Sequence, residues 1–337
     1  MKAVGYRNAG PVSDSQALED ITLPVPVPTG RDIRVAVRAV SVNPVDTKIR
    51  RGVAPPPGEH KVVGWDAAGV VDAVGPEATL FKPGDEVFYA GSLDRPGTNS
   101  ALHIVDERIV GRKPRNLNFA EAAALPLTAI TAWEALFDRL KVTVPTPEGA
   151  GSILVVGGAG GVGSIAIQIL RQLTGLTIIA TASRPETQAW VKEMGAHHVV
   201  DHRKPLNEEV KRLGLSAPGF VFSTTETDKH LDAIVDLMAP QGRFCLIDDP
   251  PPLDIMKLKR KSLSLHWELM FTRPLYGTAD IEEQHRLLNS VSAMVEEGKI
   301  RTTMSAHFGA ITAANLLKAH ALIESGSARG KIVLEGF

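Results

Sequence analysis

Cysteine is nearly absent: Cys245 is the single one in 337 residues. That excludes an intrachain disulfide and any metal site built from several thiolates, and it fits a reducing compartment. Charge of one sign is lacking too, since 37 Lys and Arg face 38 Asp and Glu for a net charge of -1. Such a chain sets up no overall field to draw in nucleic acid or an anionic membrane surface, so the expected partner is a small molecule. Long apolar runs are also missing. No stretch approaches the roughly 18 residues of a membrane helix, and the segment Met1 to Tyr6 has no apolar signal region. The expected location is the cytoplasm. No internal repeat or low-complexity tail is visible.

What is present has the texture of a packed protein, with 44% hydrophobic and 22% charged residues. The length exceeds one ordinary core and predicts two domains, which need not be consecutive in sequence. From Met1 to about Asp106, short β-branched runs such as Ile33 to Val42 and Gly69 to Val74 alternate with Gly and Pro turns, which reads as an all-β module. Ala120 to Leu140 reads as helical with an interruption near Pro126. Beyond Gly151, strands and helices alternate: Ser152 to Val156, Val162 to Leu173, Thr177 to Thr181, Pro185 to Met194, and onward to Arg243 to Ile247. Alternation of this kind predicts an α/β fold, a doubly wound parallel sheet, because parallel strands need crossover connections. Strands at Ser262 to Leu269 and Lys331 to Leu334, and helices at Ile281 to Glu297 and Ala313 to Glu324, complete the chain.

The strand Ile153 to Val156 runs into Gly157-Gly158-Ala159-Gly160-Gly161-Val162-Gly163 and at once into an apolar helix. Strand, then Gly158-x-Gly160-x-x-Gly163, then helix is the arrangement that sets a dinucleotide pyrophosphate on a helix N-terminus. Gly158 is expected to permit the tight turn, Gly160 the approach of phosphate, and Gly163 the packing of helix on strand. No Gly-Lys-Ser/Thr follows, so a P-loop is excluded. At the end of the next strand, where NAD enzymes carry an acidic residue for the ribose, stand Ser183 and Arg184. Ser183 can donate a hydrogen bond and Arg184 can pair with a 2′-phosphate, which favours NADPH over NADH. The bland reading of Arg184 is a solvated surface arginine. Thr224 and Thr225 end the strand Phe220 to Ser223 at the edge where ligands bind in such sheets, or are turn residues.

These residues resemble the medium-chain dehydrogenase/reductase superfamily, in its zinc-free quinone oxidoreductase branch. The resemblance rests on Val42-Asn43-Pro44-Val45-Asp46, Gly64-Trp65-Asp66-Ala67-Ala68-Gly69, Pro83-Gly84-Asp85-Glu86-Val87, Ala122 to Leu136, the glycine turn, Met194-Gly195-Ala196 and Gly330-Lys331-Ile332-Val333-Leu334. It implies a GroES-like β domain from residues 1–125 and 272–337 and a Rossmann domain from 126–271, with a cleft for nicotinamide and substrate. At the positions of the family's catalytic zinc ligands stand Asn43, Trp65 (with Asp66) and, nearby, Leu127, and the cysteine-rich structural-zinc lobe is missing. No metal site is therefore expected. The resemblance further implies Asn43 beside the nicotinamide as donor or orienter, or else as a cap of the turn before Pro44. It puts Asp46, Trp65 and His266 around the substrate pocket, although Asp46 and Asp66 are expected to tie loops together by hydrogen bonds rather than transfer protons and one of His266 and Trp267 to pack. It puts Thr131 and Lys331 near the cofactor, or in structural roles. His202 stands where relatives often place a Tyr against the 2′-phosphate.

The leading expectation is thus an NADPH-dependent, zinc-independent reductase that passes hydride to a small electrophile, a quinone or an α,β-unsaturated carbonyl, in a homodimer joined at the sheet edge Ser262 to Leu269. A zinc-type alcohol dehydrogenase and an NADPH-binding sensor or accessory protein without turnover are the alternatives.

Overall fold

The computed structural model describes all residues except 15, 16 and 148. The chain divides into two compact units, one made of Met1–Ile130 with Phe271–Phe337 and the other of Thr131–Met270. The first unit opens with β1 (Lys2–Tyr6), β2 (Glu19–Thr22), β3 (Asp32–Val42), α1 (Pro44–Gly52), β4 (Lys61–Val62), β5 (Ala67–Val74), β6 (Glu86–Tyr89), β7 (Leu102–Asp106), β8 (Val110–Arg112) and α2 (Phe119–Ala123). The all-β expectation for this stretch needs one correction, the helix α1. Pro44 reads as a breaker, yet it takes the first helical turn, where a missing N–H costs nothing. The Asp46 carboxylate then accepts the Asn43 N–H at 2.8 Å, satisfying a donor at the helix start. At α2 the same device is reciprocal: Glu121 N–H donates to Asn118 Oδ1 and Asn118 N–H to Glu121 Oε2. Pro126 then opens α3 (Pro126–Trp133), which continues into a π-helical turn over Glu134–Arg139.

The second unit is built on β9 (Ser152–Val156), α4 (Gly161–Leu173), β10 (Thr177–Thr181), α5 (Pro185–Glu193), β11 (His198–Val200), α6 (Leu206–Lys211), β12 (Phe220–Ser223), α7 (Thr227–Leu237), β13 (Arg243–Leu246) and β14 (Ser264–Trp267). The six strands lie in the order β11-β10-β9-β12-β13-β14 and all pair in parallel. This is the doubly wound sheet that the alternation predicted, and its strand order reverses between β9 and β12. The crevice at the carboxyl ends of those two strands is where such folds take ligands. Leu154, Val156, Ile179, Val221, Phe244 and Leu246 form one apolar face, covered by Ile234 and Leu237 of α7. Strand β14 is shorter than its sequence pattern suggests because Ser262, with φ +51°, turns the chain out of a 3-10 helix just before it.

The chain then returns to the first unit with α8 (Thr272–Tyr276), α9 (Glu283–Glu296), β15 (Met304–His307), α10 (Ala313–Glu324) and β16 (Lys331–Glu335). Strand β16 pairs antiparallel with β3, setting Ile332 opposite Val42 and Val333 opposite Ser41. The two ends of the chain thereby share one sheet, ordered β15-β16-β3-β5-β6-β8 with β7 on β3. This register matters for chemistry, because it carries Lys331 to the end of β3 where Asn43 begins.

Candidate functional site

The glycine turn joins β9 to α4 with a division of labour that differs in one respect from the sequence reading. Gly157, not Gly158, carries the left-handed backbone, at φ +78°. Gly158 is required for a different reason: a Cβ there would stand 2.9 Å from the Ala180 Cβ of β10. At Gly163 a Cβ would come within 2.4 Å of the Gly157 carbonyl oxygen, so this glycine does let α4 pack down on the turn. A Cβ on Gly160 would meet nothing closer than that same oxygen at 3.5 Å. The turn is open at Gly160, and Ala159, Gly161 and Val162 follow the same contour into the first turn of α4. Thr181 fixes the turn from β10 by accepting the Gly157 N–H at 2.9 Å. Thr224 fixes it from β12, with its hydroxyl on the Val156 carbonyl at 2.9 Å, while Thr225 is exposed. Gly158 and Gly160 spend their N–H groups on the Thr181 and Gly157 carbonyls, so a dinucleotide phosphate fits at the open face of Gly160 and the first turn of α4.

Beyond β10 the half-exposed Arg184 guanidinium pairs with Glu186 at 3.0 Å. Arg203, which the sequence reading passed over, donates to the Ser183 carbonyl at 2.7 Å and grips Asp201 with the same guanidinium. It ties the ends of β10 and β11 together and sets a second cationic group beside Ser183. Asp201 is held down at about 2 by this pairing. Nδ1 of His202 is buried with no hydrogen-bond partner among the described residues, and the His230 ring of α7 stands edge-on to it at 6.3 Å.

In the first unit a buried polar network closes around Asn43. Its Nδ2 donates to Asp66 Oδ2 at 2.8 Å and more weakly to the Ser41 carbonyl at 3.3 Å. Its Oδ1 accepts from the Lys331 ammonium, which also donates to Asp66 Oδ2 at 2.9 Å and to the Val42 carbonyl at 3.1 Å. Leu127 N–H reaches the other Asp66 oxygen at 2.8 Å. Asn43, Asp46 and Asp66 are at most 1% exposed and Lys331 is 3% exposed. The Asn43 amide is thus turned into the network, and all three Lys331 hydrogens are spent within the protein. Burial pushes the Asp66 carboxyl up, an effect opposed first by Lys331. It also pushes Asp46 up to about 7, with its Oδ1 lacking a partner among the described residues. Trp65 is buried beside this network, with Nε1 donating to the Ser92 carbonyl at 3.0 Å and its ring edge-on to Phe271.

The comparisons with known proteins follow the same outline. Residues 29–126 match the alcohol dehydrogenase GroES-like domain and residues 194–334 the zinc-binding dehydrogenase family. A zinc-type alcohol dehydrogenase-like protein of Staphylococcus aureus is 39% identical over 99% of both chains. The chain belongs to the medium-chain dehydrogenase/reductase superfamily. A Pseudomonas aeruginosa quinone oxidoreductase is 31% identical over 91% of this chain and 92% of its own. A solved Rhizobium etli structure, named for the zinc-dependent alcohol dehydrogenases, superposes with a TM-score of 0.98 at 67% identity, covering 100% of this chain and 98% of that one.

The zinc in these names can be tested against the donors in hand. At the positions that resemble zinc-ligand positions, Asn43 has committed its amide, Trp65 presents an indole with no lone pair to give, and Leu127 is apolar. Among the described residues no group of three or more His, Cys, Asp or Glu side chains is arranged to hold a metal ion. Cys245 is buried in β13, where desolvation raises its thiol far above the ordinary range. These residues do not fit a zinc ion. His266 lies half-buried on β14, with burial and then Arg139 keeping it below its ordinary value, and the adjacent Trp267 is 55% exposed. Thr131 is buried, just past the point where α3 crosses into the second unit. No helix among the described residues is long and apolar enough to cross a membrane.

Proposed function

We propose that this oxidoreductase is an NADPH-dependent, zinc-independent reductase of a small electrophile, a quinone or an α,β-unsaturated carbonyl. The observation that carries the reading is the open turn at Gly160 together with the end of β10, where Ser183 and Arg184 stand in place of a ribose-binding carboxylate and Arg203 lies beside them, the nearby Glu186 and Asp201 being paired with Arg184 and Arg203. A dinucleotide with a 2′-phosphate finds donors there and no acidic group reserved for a bare ribose. The names of two relatives, the Pseudomonas quinone oxidoreductase and a tomato 2-methylene-furan-3-one reductase, 38% identical over 62% of this chain, point to such acceptors. When bound, the nicotinamide supplies the hydride, and an acceptor whose carbon is already electrophilic needs no Lewis acid.

The protein's share is binding, orientation and charge. Backbone N–H groups at the start of α4 hold pyrophosphate, Gly160 leaves it room, and Thr181 and Thr224 keep the turn rigid. Thr131 is assigned to the nicotinamide end. Asn43 acts as an orienter within its network, Lys331 and Asp66 hold it, and Asp46, Trp65 and His266 belong to the substrate side. A homodimer is proposed because β14 is a sheet edge, with Trp267 and Leu269 exposed beside it at 55% and 51%.

Calorimetric titration of metal-free protein tests the cofactor reading: NADPH should bind at least about tenfold more tightly than NADH. Ser183→Asp should invert the preference, since the new carboxylate repels phosphate and accepts from ribose hydroxyls. Preference of the parent for NADH, or binding that requires added zinc, would overturn it.

A further inference from the structure

Two histidines stand together at the carboxyl edge of the parallel sheet. His202 stands two residues past β11, and its Nδ1 is sealed from solvent without a hydrogen-bond partner among the described residues. His230, on the first turns of α7, meets it edge-on, with ring centres 6.3 Å apart and planes at 73°. A buried ring nitrogen without a partner is costly unless something outside the chain completes it. The surroundings indicate what that is. Arg203, held on the Ser183 carbonyl at 2.7 Å, brings the end of β10 beside His202, and in this fold the adenosine ribose lies at that strand end. The carboxylates near the pair are engaged: Asp201 with Arg203 and Glu226 with Lys229. Asp228 is the further acidic neighbour and Lys229 the cationic neighbour on α7. Glu226, which leads into α7, is itself held in a left-handed conformation at φ +51°, a strain typical of ligand-facing turns.

We propose that His202 and His230 form the proton-linked half of an adenosine 2′-phosphate subsite, so that this chain separates NADPH from NADH more sharply at acid than at alkaline pH. The inference rests on the NADPH reading above and adds His230, Arg203 and the pH dependence to it. Burial and then the neighbouring His202 keep His230 below its ordinary value. A phosphate dianion placed against the rings favours their charged form, so binding should draw a proton from solution. NADH lacks that phosphate and should bind without proton uptake.

The test is titration calorimetry of NADPH and NADH into the intact protein at pH 6.5 and pH 8.5, each in two buffers of different ionisation heat. The expected result is an NADPH Kd about tenfold lower at pH 6.5, net proton uptake for NADPH, and neither effect for NADH, one linked proton being worth at most tenfold per pH unit. His202→Asn and His230→Gln should each reduce the slope and the uptake while leaving NADH binding unchanged. NADPH binding that is tight but independent of pH, or a slope shared by NADH, would overturn this inference and leave the NADPH reading standing. Failure to bind either nucleotide at any pH would overturn both.

Discussion

Replacing Lys331 by Met is the sharpest probe of the buried network, because it removes a charge while nearly keeping the shape. In the parent the ammonium satisfies Val42, Asn43 and Asp66 at once. In Lys331→Met, Asp66 keeps Asn43 Nδ2 and Leu127 N–H as donors, each at 2.8 Å, but loses its counter-charge while 0% exposed. Breaking a buried ion pair from one side costs about 3–5 kcal/mol, and the two remaining donors argue for the lower end. The lost charge was also the strongest influence holding the Asp66 carboxyl down, so in the variant it rises further. The sign follows: a raised folded-state value gives stability below the unfolded carboxyl value that is lost as pH climbs. Lys331→Met should therefore fall behind the parent more at pH 8 than at pH 5. Adding Asp66→Asn removes the orphaned charge and should recover at least about 2 kcal/mol of the loss. Urea unfolding followed by tryptophan fluorescence, with Trp65 beside the network, reads all three proteins. A loss below about 1 kcal/mol in the single variant, or no recovery in the double, would refute the reasoning.

Further outcomes follow from the same geometry. Gly160→Ala should leave the melting temperature almost unchanged, since its Cβ makes only an ordinary 3.5 Å contact with the Gly157 oxygen, yet weaken NADPH binding at least about tenfold; Gly163→Ala should lower both, its Cβ falling 2.4 Å from the Gly157 carbonyl. Thermal scans paired with cofactor titration separate the two. Asp46, pushed up to about 7, contributes stability that is full below the ordinary carboxyl range and lost as pH rises to about 7. Asp46→Asn should flatten that fall in melting temperature between pH 4.5 and pH 8, and a parent curve that rises instead would contradict the assignment. Light scattering at micromolar concentration should report a dimer, and Trp267→Glu, on the exposed sheet edge, should shift it toward monomer.

The doubly wound sheet and its glycine turn were legible because both are written locally. Alternating apolar strands, crossover helices and Gly158-x-Gly160-x-x-Gly163 each occupy a short window of sequence, and periodicity reports them directly. Helix α1 was missed because its signal, Pro44 with Asp46, lay inside a run of turn residues that supports either reading. The left-handed φ at Gly157 rather than Gly158 depends on the path between β9 and β10, which the motif does not encode. Lys331 and Asp66 lie 265 residues apart, so their pairing required the register of β16 on β3. His230 and Arg203 carried no motif at all. Only the junction of β11, α7 and the end of β10 shows them to be neighbours of His202 and Ser183.

The central claim is hydride transfer from NADPH to an electrophilic acceptor without zinc. The direct measurement is NADPH oxidation, followed by its absorbance, by protein stripped with chelator and verified metal-free by elemental analysis, against a panel of quinones and α,β-unsaturated ketones, with primary and secondary alcohols plus NADP⁺ assayed in parallel. The account predicts steady turnover with at least one quinone or enone, unchanged by added zinc, and none with the alcohols. Alcohol oxidation that appears only when zinc is restored would contradict it.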